Sequence, residues 1–315
     1  MRKVFISGGL GFIGTHLVHH IQKKFPQTKI VVYDNLSSRK QSFLRSRKNT
    51  TIVLQDLKNP KAVRRAMKGC DTVFHLAANP DIARAVREPD IDFWEGTFLA
   101  NNVLEAMRVH GVKKIFYTSG SGVYGEDPAI SFREDYGPCV PISTYGASKL
   151  ACEALIASYG HMFGMQARVF RFANVVGPQQ THGVGYDFVR QLKKNPAALR
   201  ILGDGWQSKS YIHVDDILRA MFYSDRRNRK TYDVFNVASG DYLTVRAIAR
   251  IVCRTGGLRG VRMSFTGGDR GWKGDVPIVR FDCAKIKKTG WRPLLNSADA
   301  MEDAVASMWQ DPQVV

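Results

Sequence analysis

The chain has 315 residues, 44% hydrophobic and 23% charged, the balance of a folded globular protein large enough for one big domain or two unequal ones. No apolar run approaches the roughly 20 residues that cross a bilayer, and the five cysteines (Cys70, Cys139, Cys152, Cys253, Cys283) form neither close pairs nor a metal-ligand spacing. That pattern excludes a membrane-spanning or disulfide-stapled class and reads as free thiols in a reducing, cytoplasmic compartment, with no metal centre.

The N-terminus begins basic and then turns apolar, MRKVFISGGLGFIG. Its glycines and the lack of a small-x-small cleavage site argue for a strand and turn rather than a secretory leader. Residues 3–7 are an apolar run ending at glycine, as a buried parallel strand should. A helical pattern follows over 15–24, then β-branched or apolar runs at 29–33, 51–54, 72–77, 114–118 and 168–172. Helical stretches such as 61–68, 98–109 and 144–158 lie between them. Strand and helix alternating in this way predict a doubly wound parallel sheet, an α/β Rossmann fold. After about Asn174 the rhythm breaks at Pro178, Pro196, Gly203 and Gly205, and 256–274 reads as a long glycine-rich loop. The expected division is therefore a dinucleotide-binding domain over 1–174. A smaller substrate-binding lobe over 175–315 would complete a cleft, with some segments free to return to the first domain.

Gly8, Gly11 and Gly14 stand at three-residue intervals between the first strand and the first helix. Glycine there permits a tight turn, lets backbone amides approach a pyrophosphate, and lets the helix pack closely on the sheet. Asp34 ends the second strand 20 residues past Gly14. A carboxylate in that place accepts hydrogen bonds from both ribose hydroxyls and repels a 2′-phosphate, which favours NAD over NADP. Arg39 and Lys40, close by, are the residues that speak for NADP.

STYGASK, residues 143–149, sets Tyr145 and Lys149 four apart among small residues. On a helix these positions share one face, and an adjacent ammonium stabilises an ionised phenol, making it useful as a base near neutral pH.

The net charge is +18, from 46 basic and 28 acidic residues. The basic residues recur at 39–48, 58–68, 226–230 and 285–288 without the interleaved aromatics of a single-strand binder. A solvated basic surface is the expectation, and nucleic acid is not an expected partner.

With GGLGFIG, YDNLSS, QDL, HLAA, SGVYG and the Tyr–Lys pair in this order, the chain resembles the extended short-chain dehydrogenase/reductases. Within them it is most similar to the compact UDP-glucose 4-epimerases, through RFANVVGP, LGDGWQSKSYIHVDD, DRGWKGDV and KTGWRP. The resemblance implies NAD as cofactor, a nucleotide-sugar substrate, in all expectation UDP-linked, and a homodimer paired through the helices at 98–109 and 144–158. It implies that Gly8, Gly11, Phe12, Ile13 and Gly14 form the pyrophosphate turn, that Asp34, Asn35 and Ser37 hold the adenosine ribose, and that Asp56 and Leu57 flank the adenine. Leu76, Ala77, Ala78 and Phe172 would line the cofactor trough. Tyr145 would be the base and Lys149 would bind the nicotinamide ribose. Asn174, Lys209 and Arg270 would meet the substrate diphosphate, a guanidinium suiting two phosphate oxygens at once.

Three positions depart from the family pattern. Counting back four from Tyr124, where a serine or threonine is usual, gives Gly120, flanked by Ser119 and Ser121. Either serine is a candidate to assist the proton transfer. Gly96 stands where an asparagine often supports the cofactor, and Lys209 stands where arginine is commoner. A 4,6-dehydratase begins with the same oxidation but needs an added acid and base; related dehydratases carry Asp-Glu where this chain has Ser121 and Gly122. The alternative from another class is a non-catalytic NAD-binding module that holds RNA through its charge, and the intact Tyr145–Lys149 pair speaks against it.

Overall fold

The structure is a computed structural model and describes residues 1–38, 44, 48–226 and 228–314. Arg39 and Lys40, with most of the first basic run, lie outside the described residues. In chain order the elements begin β1 (Lys3–Ser7), α1 (Phe12–Lys24), β2 (Lys29–Asp34), β3 (Thr50–Leu54), α2 (Pro60–Met67), β4 (Thr72–His75), α3 (Phe98–His110), β5 (Lys114–Gly120), β6 (Ser131–Phe132), α4 (Thr144–Phe163), β7 (Gln166–Phe172) and β8 (Asn174–Val176). They continue α5 (Val184–Lys194), β9 (Ala198–Ile201), β10 (Ser208–Lys209), β11 (Tyr211–His213), α6 (Val214–Asp225), β12 (Tyr232–Val237), β13 (Leu243–Thr244), α7 (Val245–Thr255), β14 (Arg262–Phe265), β15 (Arg280–Phe281), α8 (Ala284–Lys287) and α9 (Ser297–Gln310).

Two compact units emerge. The first takes residues 1–123, 144–171 and 221–235; the second takes 124–143, 172–220 and 236–315. No single cut separates them. The chain leaves the first unit after Val123, returns for α4, and returns again to bring β12 beside β7.

The first unit is built on a seven-stranded sheet in the order β12-β7-β5-β4-β1-β2-β3. Strand order reverses on either side of β1, with β1 paired in parallel to both β2 and β4. This is a doubly wound α/β Rossmann sheet. Side chains alternate between its faces. Phe5, Tyr33, Val73, Ile115, Tyr117 and Val169 pack with α2, α3 and α4 in one core cluster. On the other face an aromatic row runs across neighbouring strands, with Phe74–Phe116 at 4.6 Å, Phe116–Phe170 at 6.3 Å and Phe170–Phe235 at 6.0 Å between ring centres. Full burial of both faces explains why these strands read as continuous apolar runs.

The second unit has its own core, where Phe188, Leu192, Leu199, Ile201, Ile248, Val252, Met301 and Val305 unite α5, β9, α7 and α9. The stretch 256–274, expected as one long loop, contains β14, which pairs in parallel with β9 from Arg262↔Ala198 to Phe265↔Ile201. Its alternating exposed and half-buried residues conceal it in a glycine-rich context.

Candidate active site

Gly8 has φ +68, and a Cβ there would lie 2.8 Å from the Ala77 nitrogen; one on Gly14 would lie 2.2 Å from the Gly8 carbonyl oxygen. Glycine is therefore required twice, once for the conformation and once for the approach of α1 to the turn. No side chain caps α1, and its first turn holds no acidic residue. The amides that open a helix lack intrahelical partners, so an anion is the group this terminus suits. Asp34, only 9% exposed, accepts from the Leu10 amide through Oδ2 at 2.9 Å and from the Leu36 amide through Oδ1 at 2.8 Å. Each oxygen keeps a second lone pair for a ribose hydroxyl. Asn35 donates to Asp56 Oδ2 at 3.0 Å and accepts from the Ser37 amide at 3.0 Å, setting those three residues beside one another. Leu57, by contrast, buries its side chain in the core, and its carbonyl is held by Asn102 at 3.0 Å. Phe12 and Phe172 are buried, whereas Ile13, Leu76, Ala77 and Ala78 are half-buried. These residues fit a dinucleotide.

Helix α4 carries Tyr145 and Lys149 on one face. Lys149 Nζ lies 5.5 Å from the Tyr145 ring centre and 5.1 Å from that of Tyr117, and it donates to the Thr118 carbonyl at 2.7 Å. The ammonium is thus pinned to the end of β5 from below while the half-buried phenol stands one turn nearer the helix start. Not every small neighbour of Tyr145 serves a ligand. A Cβ on Gly122 would make only an ordinary 3.5 Å contact with Gly146 Cα, whereas one on Gly96 would sit 2.3 Å from Ser148 Oγ. That hydroxyl is held by the Asp92 carbonyl at 2.6 Å, the Thr97 hydroxyl at 2.9 Å and the Thr97 amide at 3.1 Å.

The end of β5 separates the two candidate serines. Ser119 continues the face of Ile115 and Tyr117, is 6% exposed, and donates to Glu153 Oε1 at 2.5 Å. Ser121 lies past the strand in a one-turn 3-10 helix (Ser121–Val123), half-buried, with no hydrogen-bond partner among the described residues. Beneath the site His75 is 1% exposed and bonds Ser7 Oγ through Nδ1 at 2.6 Å. Burial first, and the Lys149 charge second, push its pKa down to about 3, so the ring is neutral.

In the second unit, Asn174 is exposed at the start of β8, donating to the Ser210 carbonyl at 3.3 Å. Lys209 and Arg270 meet at one residue. Lys209 Nζ lies 2.5 Å from Asp275 Oδ1, and Arg270 Nη1 donates to the Asp275 carbonyl at 2.8 Å. Sequence reasoning missed Asp275, Glu153, Arg171 and Glu126. The signal for Glu153 was present, since it repeats the four-residue step from Lys149. Asp275 stood inside the DRGWKGDV segment. Arg171 and Glu126 carry no local mark.

A Rossmann sheet whose first strand opens through an uncapped glycine turn, with the buried Asp34 at the end of β2 and a Tyr–Lys pair on α4, fits an NAD-binding protein of the short-chain dehydrogenase/reductase class. Residues 4–238 match the NAD dependent epimerase/dehydratase family, and the chain belongs to it; its cofactor is NAD. The chain is 28% identical over 272 residues to a UDP-glucose 4-epimerase of Halalkalibacterium halodurans, covering 80% of this chain and 79% of that one. A crystal structure of a UDP-galactose 4-epimerase shares 35% identity and superposes with a TM-score of 0.88 over 98% of this chain and 99% of its own. The Thermus thermophilus UDP-glucose 4-epimerase, solved in complex with NAD, shares 27% identity at a TM-score of 0.87 over 99% of this chain and 100% of its own.

Proposed function

We propose that the protein is a cytoplasmic, homodimeric nucleotide-sugar 4-epimerase, acting on a UDP-hexose pair such as UDP-glucose and UDP-galactose. The family takes in dehydratases as well as epimerases, so the reaction is argued from residues. The observation that carries the reading is the Tyr145–Lys149 pair beside a β5 end that offers serines and no carboxylate. The glycine turn at Gly8, Gly11 and Gly14 and the Asp34 carboxylate would hold NAD, whose chemistry would be reversible hydride exchange with the sugar's C4. Tyr145 would take the proton of the 4-hydroxyl and give it back, with the Lys149 ammonium offsetting the charge on the phenolate. Ser121, whose hydroxyl has no hydrogen-bond partner among the described residues, would pass or steady that proton. Asn174, Lys209 and Arg270 would hold the diphosphate, leaving the 4-keto sugar free to turn its other face. Elimination of water would need a further acid and base, and Ser121-Gly122 supplies neither.

The test is incubation with a panel of UDP-sugars in heavy water, with products resolved by chromatography and mass. The product should have the substrate's mass and carry no solvent deuterium. A product lighter by one water would replace this reading with a dehydratase.

A further inference from the structure

Arg270 is already engaged. Its Nη2 donates to both carboxylate oxygens of Glu126, at 2.9 and 2.8 Å, while Nη1 is held by the Asp275 carbonyl. Lys209 is paired with the Asp275 carboxylate. A third carboxylate, the well-exposed Asp269, lies 3.8 Å from Arg270 Nε, so two cations face three carboxylates and an approaching diphosphate meets no net positive charge. The carboxylates differ in freedom. The Asp275 side chain is 8% exposed, and its Oδ2 accepts from the Gly271 amide at 3.2 Å, so it is built in. The Glu126 side chain is 29% exposed, and among the described residues its carboxylate hydrogen-bonds Arg270 alone.

The backbone just before Glu126 is closely packed. Gly125 has φ +85, and a Cβ there would lie 2.2 Å from the Val140 carbonyl oxygen. Tyr124, one residue earlier, is buried and donates its hydroxyl to Asn236 Oδ1 at 2.6 Å. Its exposure leaves the Glu126 carboxylate room to turn off the guanidinium, while the packed residues before it keep it near.

We propose that Glu126 is a built-in competitor that occupies Arg270 until the diphosphate of a nucleotide ligand displaces it. This rests on the reading of Lys209 and Arg270 as diphosphate-binding residues. Carboxylate and phosphate oxygens seek the same guanidinium donors, so one must leave for the other to bind. A part-exposed ion pair is weak, which makes Glu126 displaceable and its effect on affinity modest. What it achieves is a guanidinium held in place between turnovers and a diphosphate that is not gripped too tightly to leave.

The protein is titrated calorimetrically with UDP, GDP and dTDP, and the tightest binder is carried through Glu126→Gln, Glu126→Asp, Arg270→Gln and the Glu126→Gln/Arg270→Gln double variant. Removing the competing charge in Glu126→Gln should tighten binding about two- to fivefold. Glu126→Asp, which keeps the charge but shortens its reach, should also tighten it. Arg270→Gln should weaken binding about tenfold or more, and adding Glu126→Gln to it should change nothing, because the contested guanidinium is gone. If both Glu126 variants bind as the parent or more weakly while Arg270→Gln binds poorly, the competitor role is wrong and the diphosphate reading survives. If Arg270→Gln binds like the parent, the diphosphate reading itself fails.

Discussion

Glu153 receives the Arg171 guanidinium through Nε at 3.0 Å and Nη2 at 2.6 Å, and it accepts the Ser119 hydroxyl at 2.5 Å. All three groups are buried, so Ser119 is committed to balancing a charge inside the fold, while the Ser121 hydroxyl has no hydrogen-bond partner among the described residues. Ser119→Ala should therefore cost stability, about 1–3 kcal/mol for a bond to an ionised group, and leave turnover near the parent's. Ser121→Ala should lose at least about tenfold in turnover, the low end for a proton-transfer partner. Urea unfolding with steady-state kinetics separates the two, and parental turnover in both variants would mean that Tyr145 works without a serine. His75 predicts a pH effect. Its pKa is pushed down to about 3 in the fold, whereas an unfolded histidine titrates near ~6.5. Between those values the unfolded chain binds a proton that the folded chain does not. Stability is then complete above about 6.5 and falls as pH drops, at up to ~1.4 kcal/mol per unit. His75→Asn should remove about one proton from that slope. Measuring between roughly pH 6.5 and 5 keeps the readout clear of Glu105, which Arg108 and Tyr159 hold down to about 2 and which begins to lose its contribution only below ~4.3.

At the scale of elements, the junction of α3 with α4 explains why Gly96 replaces a polar residue. A single π-helical turn, Phe93–Thr97, leads into α3 and brings its backbone against Ser148 of α4. Thr144 and Ser148 both bond Asp92, the former at 2.7 Å through Oδ2, so the first turns of α4 are tied to that junction. An asparagine at 96 would place Cβ against a hydroxyl held by three hydrogen bonds. Gly96→Asn should destabilise the protein by about 1–3 kcal/mol through overpacking. Adding Ser148→Ala, which removes the blocking oxygen, should recover part of that loss. Chemical unfolding of the two single variants and the double variant tests the coupling, and strictly additive losses would show that the contact is not the cause.

For the whole molecule, the proposed homodimer can be tested at the apolar groups that α3, α4 and the turn before α3 leave exposed. Val109, at the end of the 98–109 segment expected to pair two subunits, is 49% exposed, and Trp94 and Met162, just outside the expected segments, are 45% and 71% exposed. Buried against a second copy they would lose contact with water. The protein should run as a homodimer at micromolar concentration in light scattering, and Trp94→Glu should shift it towards monomer. A monomeric parent would remove this part of the proposal. Among the described residues no helix is long and apolar enough to cross a membrane.

What the amino-acid order determined by itself is local and periodic. Apolar runs buried on both faces marked the sheet, the glycine spacing marked the tight turn before α1, Asp34 was placed at a strand end, and the four-residue step put Tyr145 and Lys149 on one face. Each of these depends on residues within a few positions of one another. Tertiary structure alone decided the partners. Ser119 meets Glu153 34 positions away, Lys209 meets Asp275 66 away, and Arg270 meets Glu126 144 away. It also decided that 124–143 joins the second unit and 221–235 the first, and that a strand lies hidden in the 256–274 stretch. These pairings carry no period and no spacing, because the path of the chain through the fold creates them and a local pattern records only its own neighbourhood.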